Sequence, residues 1–199
     1  MAVEDIIVSW GVIYYAPVDE AIPDETTVAF GTAWGGNWVA LGYFAEGAAL
    51  SWNHTKTKYT VRAQQTVLPL KRVITQEDLA LETTLIEMTA DNLELAIEGT
   101  VTDTAAGGAQ KAFSKLEGGG QFIPDTYAWG IEMMRVDSSG NQQPVRLFVW
   151  KGDAMINGAL EFSKAAETGV PFHLDAIAHL SKASGKQLFQ LDIVTGPTT

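Results

Sequence analysis

Short runs of β-branched and aromatic residues, separated by turn residues, occupy most of the chain. Segment 6–16 (IIVSWGVIYYA) is such a run and predicts a strand with a half-buried face. Pro17 and Pro23, with Asp19, Glu20, Asp24 and Glu25 around them, make 17–26 a solvated loop. Segment 27–50 predicts short strand pieces interrupted by glycines, with Phe30, Trp34, Trp38, Tyr43 and Phe44 filling core or interface gaps. From Ser51 to Ala63 the pattern alternates. Trp52, His54, Lys56, Lys58, Thr60 and Arg62 share one face, and Asn53, Thr55, Thr57, Tyr59, Val61 and Ala63 the other. Neither face is an apolar stripe, so this strand is expected to project beyond the core in a hairpin arm at about 51–70.

Residues 67–76 and 79–88 predict two more strands. Thr89 offers an N-cap hydroxyl to a short helix near 90–98, with Leu93, Ala96 and Ile97 as its apolar stripe and Gly99 as its stop. Segment 100–121 holds five glycines and little periodicity, which reads as a flexible loop. Strands at 126–136 and 145–151 are expected to join across Asp137–Asn141. Asn157-Gly158 marks a hairpin between AMI and ALEF, and strands 170–180 and 187–194 meet across Ser184-Gly185. The fold class expected is mainly β, a β-sandwich or barrel of antiparallel strands with one short flanking α-helix. No repeat or linker divides the chain, so 1–199 is read as one domain with an N-terminal arm at 1–8.

Charge sharpens the picture. The 199 residues carry 13 Lys plus Arg against 24 Asp plus Glu, a formal net charge of −11. That balance argues against a protein that grips nucleic-acid phosphates. The acids of 1–55 (Glu4, Asp5, Asp19, Glu20, Asp24, Glu25, Glu46) stand without one Lys or Arg, whereas 56–72 has Lys56, Lys58, Arg62, Lys71 and Arg72 and no acid. This pattern suits head-to-tail contacts, in which the basic stretch of one copy meets the acidic stretch of the next and builds rings or filaments. Lys56, Lys58, Arg62, Trp52 and Tyr59 on the arm, and Asp19, Glu20, Asp24 and Glu25 opposite, are the candidate subunit-interface residues.

Catalytic chemistry is hard to find. The chain has no cysteine, which removes disulfides, thiolate metal sites and a thiol nucleophile. It has no nucleophile elbow, and its triple glycine at 118–120 lacks the lysine of a phosphate cradle. His173, Asp175 and His179 share a strand face, but His173 and Asp175 at about 7 Å are too far apart for one hydrogen bond and lack further ligands for a metal. No enzyme activity, metal or cofactor is therefore expected. Neither a secretory signal nor a membrane span is expected, since Met1–Asp5 carries two acids and no base and no run approaches about 20 apolar residues. The aromatic content leaves one competing class, a carbohydrate-binding β-sandwich module. A hydrolase would need two carboxylates across a cleft, and sequence does not give their separation.

The block QQTVLPLKRVITQEDLALETTLIEMTADNLELAI at 64–97, with the later LEGGGQFIPDTYAWGIEMM and VRLFVWKGDAMINGALEFSKAAETGVPFHLDAIAH, resembles the major tail tube protein of long-tailed bacteriophages over roughly residues 30–194. The order of elements carries the resemblance more than any single residue. It implies a structural virion protein of the phage tail, assembled in the host cytoplasm. Six copies would form a ring, and stacked rings a tube that encloses the tape-measure protein during assembly and conducts DNA during ejection. Tail terminator and distal tail proteins would be its further partners, and DNA would pass without specific binding. An acidic protein suits such a bore, because it repels the polyanion it conducts.

Overall fold

The computed structural model describes residues 7–25, 27–62, 64, 68–136, 140–162 and 168–195, with backbone alone for 7–10. The N-terminal arm expected at 1–8 and the turn at Asp137–Asn141 therefore lie largely outside the described residues. Ten strands and one helix follow in the order β1 (Ile7–Ala16), β2 (Val39–Tyr43), β3 (Ser51–Val61), β4 (Lys71–Leu85), α1 (Ala90–Ile97), β5 (Gly99–Thr104), β6 (Phe113–Gly118), β7 (Tyr127–Val136), β8 (Gln142–Ile156), β9 (Val170–Ala176) and β10 (Phe189–Ile193). The protein is mainly β and antiparallel, as expected.

One eight-stranded sheet runs β2-β1-β7-β8-β9-β4-β3, and β10 adds to it on β8. The long strand β8 explains that branch. Val145–Val149 pair with β10 and Gly152–Ile156 with β9, both on the edge that β7 leaves free. At the handover stands Gly152, where a Cβ would come within 2.6 Å of the Asp175 carbonyl oxygen, so no larger residue fits without moving the backbone. Phe44 bridges to Leu85, and Ala45 N–H donates to the Thr84 carbonyl at 2.8 Å. The sheet curls through that bridge without closing into a barrel.

Alternation places two apolar clusters on opposite faces of the curl. Inside it, Ile13, Leu79, Leu81, Leu85, Trp129, Ile131, Leu147, Phe172 and Leu174 form the larger core. On the outer face of β1, β7 and β8, Tyr14, Ala16, Ala128 and Phe148 pack under Trp34 and Trp38, which come from the long connection between β1 and β2. That connection, 17–38, is a strap over the sheet.

Several expectations change. The strands expected at 67–76 and 79–88 are one strand, β4, because the polar Gln76, Glu77 and Asp78 continue the alternation on an exposed ribbon and make no turn. The stretch read as a loop, 100–121, contains the hairpin β5–β6, whose Thr-rich ladder from Gly99↔Gly118 to Thr104↔Phe113 is mostly exposed and so carries no apolar periodicity. At Asn157-Gly158 the ALEF segment forms no strand. Instead Asn157 N–H donates to the Pro171 carbonyl, and β8 pairs with β9. The strand expected at 170–180 ends at Ala176, and β10 pairs with β8 and not with β9.

Helix α1 begins as expected, with Thr89 Oγ1 accepting from Asn92 N–H at 3.1 Å. It ends one residue early. Glu98, at φ 53° and ψ 49°, takes the left-handed position that the glycine was expected to fill, and Gly99 opens β5. Asn92 and Ala96 are buried, Leu93 and Leu95 are partly buried against the core, and Ile97 is exposed. Asn92 is tolerated inside because its amide donates to the Leu41 and Glu87 carbonyls at 2.6 and 3.0 Å.

Candidate assembly surfaces

Strand β4 extends nine residues, Lys71 to Leu79, beyond its ladder with β9, about 30 Å at the usual strand rise. Among the described residues only β3 pairs with it there. Lys71–Asp78 are exposed throughout, as is most of β3, so this two-stranded arm has solvent on both faces. Its root is fixed. Trp52 stands edge-on to Phe189 at 5.0 Å and His54 at 5.5 Å, and Glu77 receives both His54 and Lys56 at 2.8 Å. The hydrogen bond from Lys56, then that from His54, holds the Glu77 carboxyl below its ordinary pKa. Trp52 and Lys56 are thus engaged within the chain.

The distal half differs. A register shift between Thr57 and Lys58 precedes the pairs Lys58↔Ile74, Tyr59↔Val73, Thr60↔Arg72 and Val61↔Lys71. Cross-strand partners share a face. One face therefore carries Lys58, Ile74, Thr60 and Arg72, and the other Tyr59, Val73, Val61 and Lys71. Tyr59 is 63% exposed. Lys58, Arg62, Lys71 and Arg72 enter no ion pair among the described residues.

The acidic segment is largely occupied by its own chain. Asp19 Oδ1 lies 3.0 Å from His179 Nε2, and Glu20 accepts from the Asn37 side chain and backbone at 2.7 and 3.2 Å. The Asp24 carbonyl accepts from Val28 N–H. Glu25 reaches inward to a cluster that sequence reasoning missed. Arg146 on β8 is fully buried, donating to Glu25 at 2.7 Å, to Glu132 on β7 at 2.7 and 2.9 Å, and to the Val28 carbonyl at 2.8 Å. Glu132 in turn accepts from Gly31 N–H, and Trp38 Nε1–H donates to the Ala21 carbonyl. These bonds tie the strap to the sheet.

Burial lifts the Glu25 pKa from 4.5 to about 7, outweighing the attraction of Arg146. The folded state therefore holds this proton more tightly than the unfolded chain does. Its stabilising share is complete below about pH 4.5 and lost as pH rises through about 7. Glu25→Gln is expected to remove that component. The difference in urea midpoint between wild type and variant should shift against the wild type from pH 5 to pH 8, and a difference independent of pH would contradict it.

Among the described residues no strap covers the outer face of β8, β9 and β4. Its rows are Asp153–Asp175–Ala80–Asn53 and Met155–His173–Glu82–Ser51, with no Lys or Arg. His173 bridges Glu82 at 3.0 Å and Asp175 at 3.2 Å, closer than alternate strand positions suggest, because the side chains lean together. His179 stands apart with Asp19. Burial first, and the neighbouring Asp175 charge, raise the Asp153 pKa. Among the described residues no group of three or more His, Asp or Glu is placed to hold a metal. The aromatic rings divide between buried and exposed positions, with Tyr43, Tyr59 and Phe122 exposed. Trp34, Trp38 and Trp129 are buried, and Lys182 Nζ covers the face of Trp150 at 3.9 Å.

A family model described as phage tail tube protein matches residues 2–191. No curated protein matches the chain.

Proposed function

Because the chain belongs to the phage tail tube protein family, we propose that six copies close into a ring and that rings stack into a hollow tube. The chain is a structural component of the virion tail. In this reading the tube surrounds the tape-measure protein during assembly in the host cytoplasm and conducts DNA during ejection. Tail terminator and distal tail proteins cap its two ends.

The observation that carries the reading is the arm. An isolated two-stranded ribbon is marginal in water, yet here it extends with both faces solvated and with four cations that enter no ion pair among the described residues. Such a ribbon is best explained by a neighbouring copy that covers it. The strap-free face of β8, β9 and β4 supports the bore. The carboxylates Asp153, Asp175 and Glu82 in its two rows would repel a passing duplex, so that DNA slides without adhering.

Negative-stain microscopy of concentrated protein tests this directly, with rings or tubes as the expected result and a strictly monomeric preparation overturning it. Lys58→Glu together with Arg62→Glu should leave the circular dichroism of the monomer unchanged and abolish long tubes. Tubes of normal length from that variant would remove the arm from the stacking contact.

A further inference from the structure

We propose that the cationic face of the arm docks on a second copy of this chain and seats Arg72 in a pocket lined by tyrosines and carboxylates at the C-terminal end of α1. This rests on the tube reading above and names the surface that receives the arm.

The donor side is set by the β3–β4 ladder. Lys58 and Arg72 stand one rung apart on the same face, with Arg62 just past the end of β3, and none of the three has an ionic partner among the described residues. The 17–25 segment, the acidic surface suggested by sequence, is a poor receiver. Asp19 already faces His179, Glu20 holds Asn37, and Glu25 is committed to Arg146.

The receiving side is a cavity of about 140 Å³ among α1, β1 and the start of β7, lined by Tyr15, Glu94, Leu95, Glu98, Asp125 and Tyr127. The rings of Tyr15 and Tyr127 meet at 87° with centroids 5.5 Å apart, forming an aromatic corner. Among the described residues Glu98 and Asp125 have no ion pair, and the Glu94 carboxylate accepts from Val101 N–H. No basic residue occupies the last turn of α1, so the helix carbonyls add to the negative potential. Burial, and then the charges of Asp91 and Glu94, raise the Tyr15 pKa, while burial and Asp125 do the same at Tyr127. The pocket thus combines an aromatic wall with carboxylates that lack a cation.

A guanidinium suits that combination better than an ammonium, since it stacks on a ring while its planar fork reaches carboxylates. Arg72 also starts from a strand, which limits the ordering cost of docking. The arm is long enough to leave its own subunit, and its chemistry is the complement of this pocket on another.

Charge exchange tests the contact. Arg72→Glu and Glu98→Arg, each in the full chain, are expected to lower the sedimenting tube fraction about tenfold or more. The two changes combined in one chain should restore it. Undiminished tubes from either single variant, or no recovery in the double variant with monomer circular dichroism intact, would overturn the pairing.

The absence of native cysteine gives a second readout that does not need tubes. Arg72→Cys and Glu98→Cys proteins, mixed at high concentration and oxidised, should yield a mixed disulfide dimer in excess of either homodimer. If the wild type forms no tubes, the stacking reading fails by itself. The mixed dimer then still supports the arm–pocket contact, and its absence refutes it.

Discussion

Replacing Arg146 by methionine is expected to destabilise the fold by about 3–5 kcal/mol, the range for breaking a buried ion pair from one side. Glu132 is only 1% exposed and would be left with a buried charge and no cation. Glu25 would lose its partner at the same time, and the Val28 carbonyl its donor. The loss should therefore appear in the strap before the rest of the sheet. Urea unfolding followed by tryptophan fluorescence reads it, because Trp34 and Trp38 belong to this connection. The double variant Arg146→Met with Glu132→Leu should recover much of the loss, since two apolar side chains replace the pair together. A single-variant cost below about 1 kcal/mol would mean that the cluster contributes as little as an exposed pair.

This cluster also marks how far the sequence could be read. Glu132 stands alone in the apolar run WGIEMM and Arg146 alone in VRLFVW, on strands expected to join across Asp137–Asn141. The two residues are equally distant from position 139, so a tight hairpin sets them opposite each other, as the β7–β8 ladder does. That signal was present. Nothing in the sequence, however, brings Glu25 to the same arginine, because the contact spans 121 positions and depends on how the strap folds back.

The arm was legible for a simple reason. Strict alternation with polar residues on both sides denies a strand any core face, and β3 is exposed on both sides. The same logic hid β5 and β6, where exposed Thr, Ser and Lys alternate without apolar contrast and glycines suggested a loop. Helix α1 was recognisable from its cap hydroxyl, but its stop depended on Glu98 adopting a left-handed backbone that an adjacent glycine made look unnecessary. The pocket at its end was invisible, since Tyr15, Glu98 and Asp125 meet only through the sheet order.

Trp34→Ala is expected to cost about 3–5 kcal/mol, the usual penalty for emptying a buried aromatic site. Trp34 is 5% exposed and lies flat on Tyr14, with ring centroids 4.1 Å apart and planes 10° apart. Trp38 and Phe148 close around it at 5.1 and 5.5 Å. The indole reaches that depth because β7 has a glycine beneath it. A Cβ on Gly130 would collide with the far edge of the ring, coming within 2.6 Å of Cη2. A stacked indole has no free rotamer through which to yield, so Gly130→Ala should be destabilising by about 1–3 kcal/mol as overpacking. The two variants fail for opposite reasons, one by void and one by clash, and combining them should recover part of the loss. Trp34 also lies over the Arg146 guanidinium, 5.5 Å from ring centroid to Cζ. Trp34→Ala and Arg146→Met should consequently be less than additive, because each already loosens the strap that the other holds. Strict additivity in denaturant titrations would show that aromatic packing and the ion cluster stabilise the strap independently.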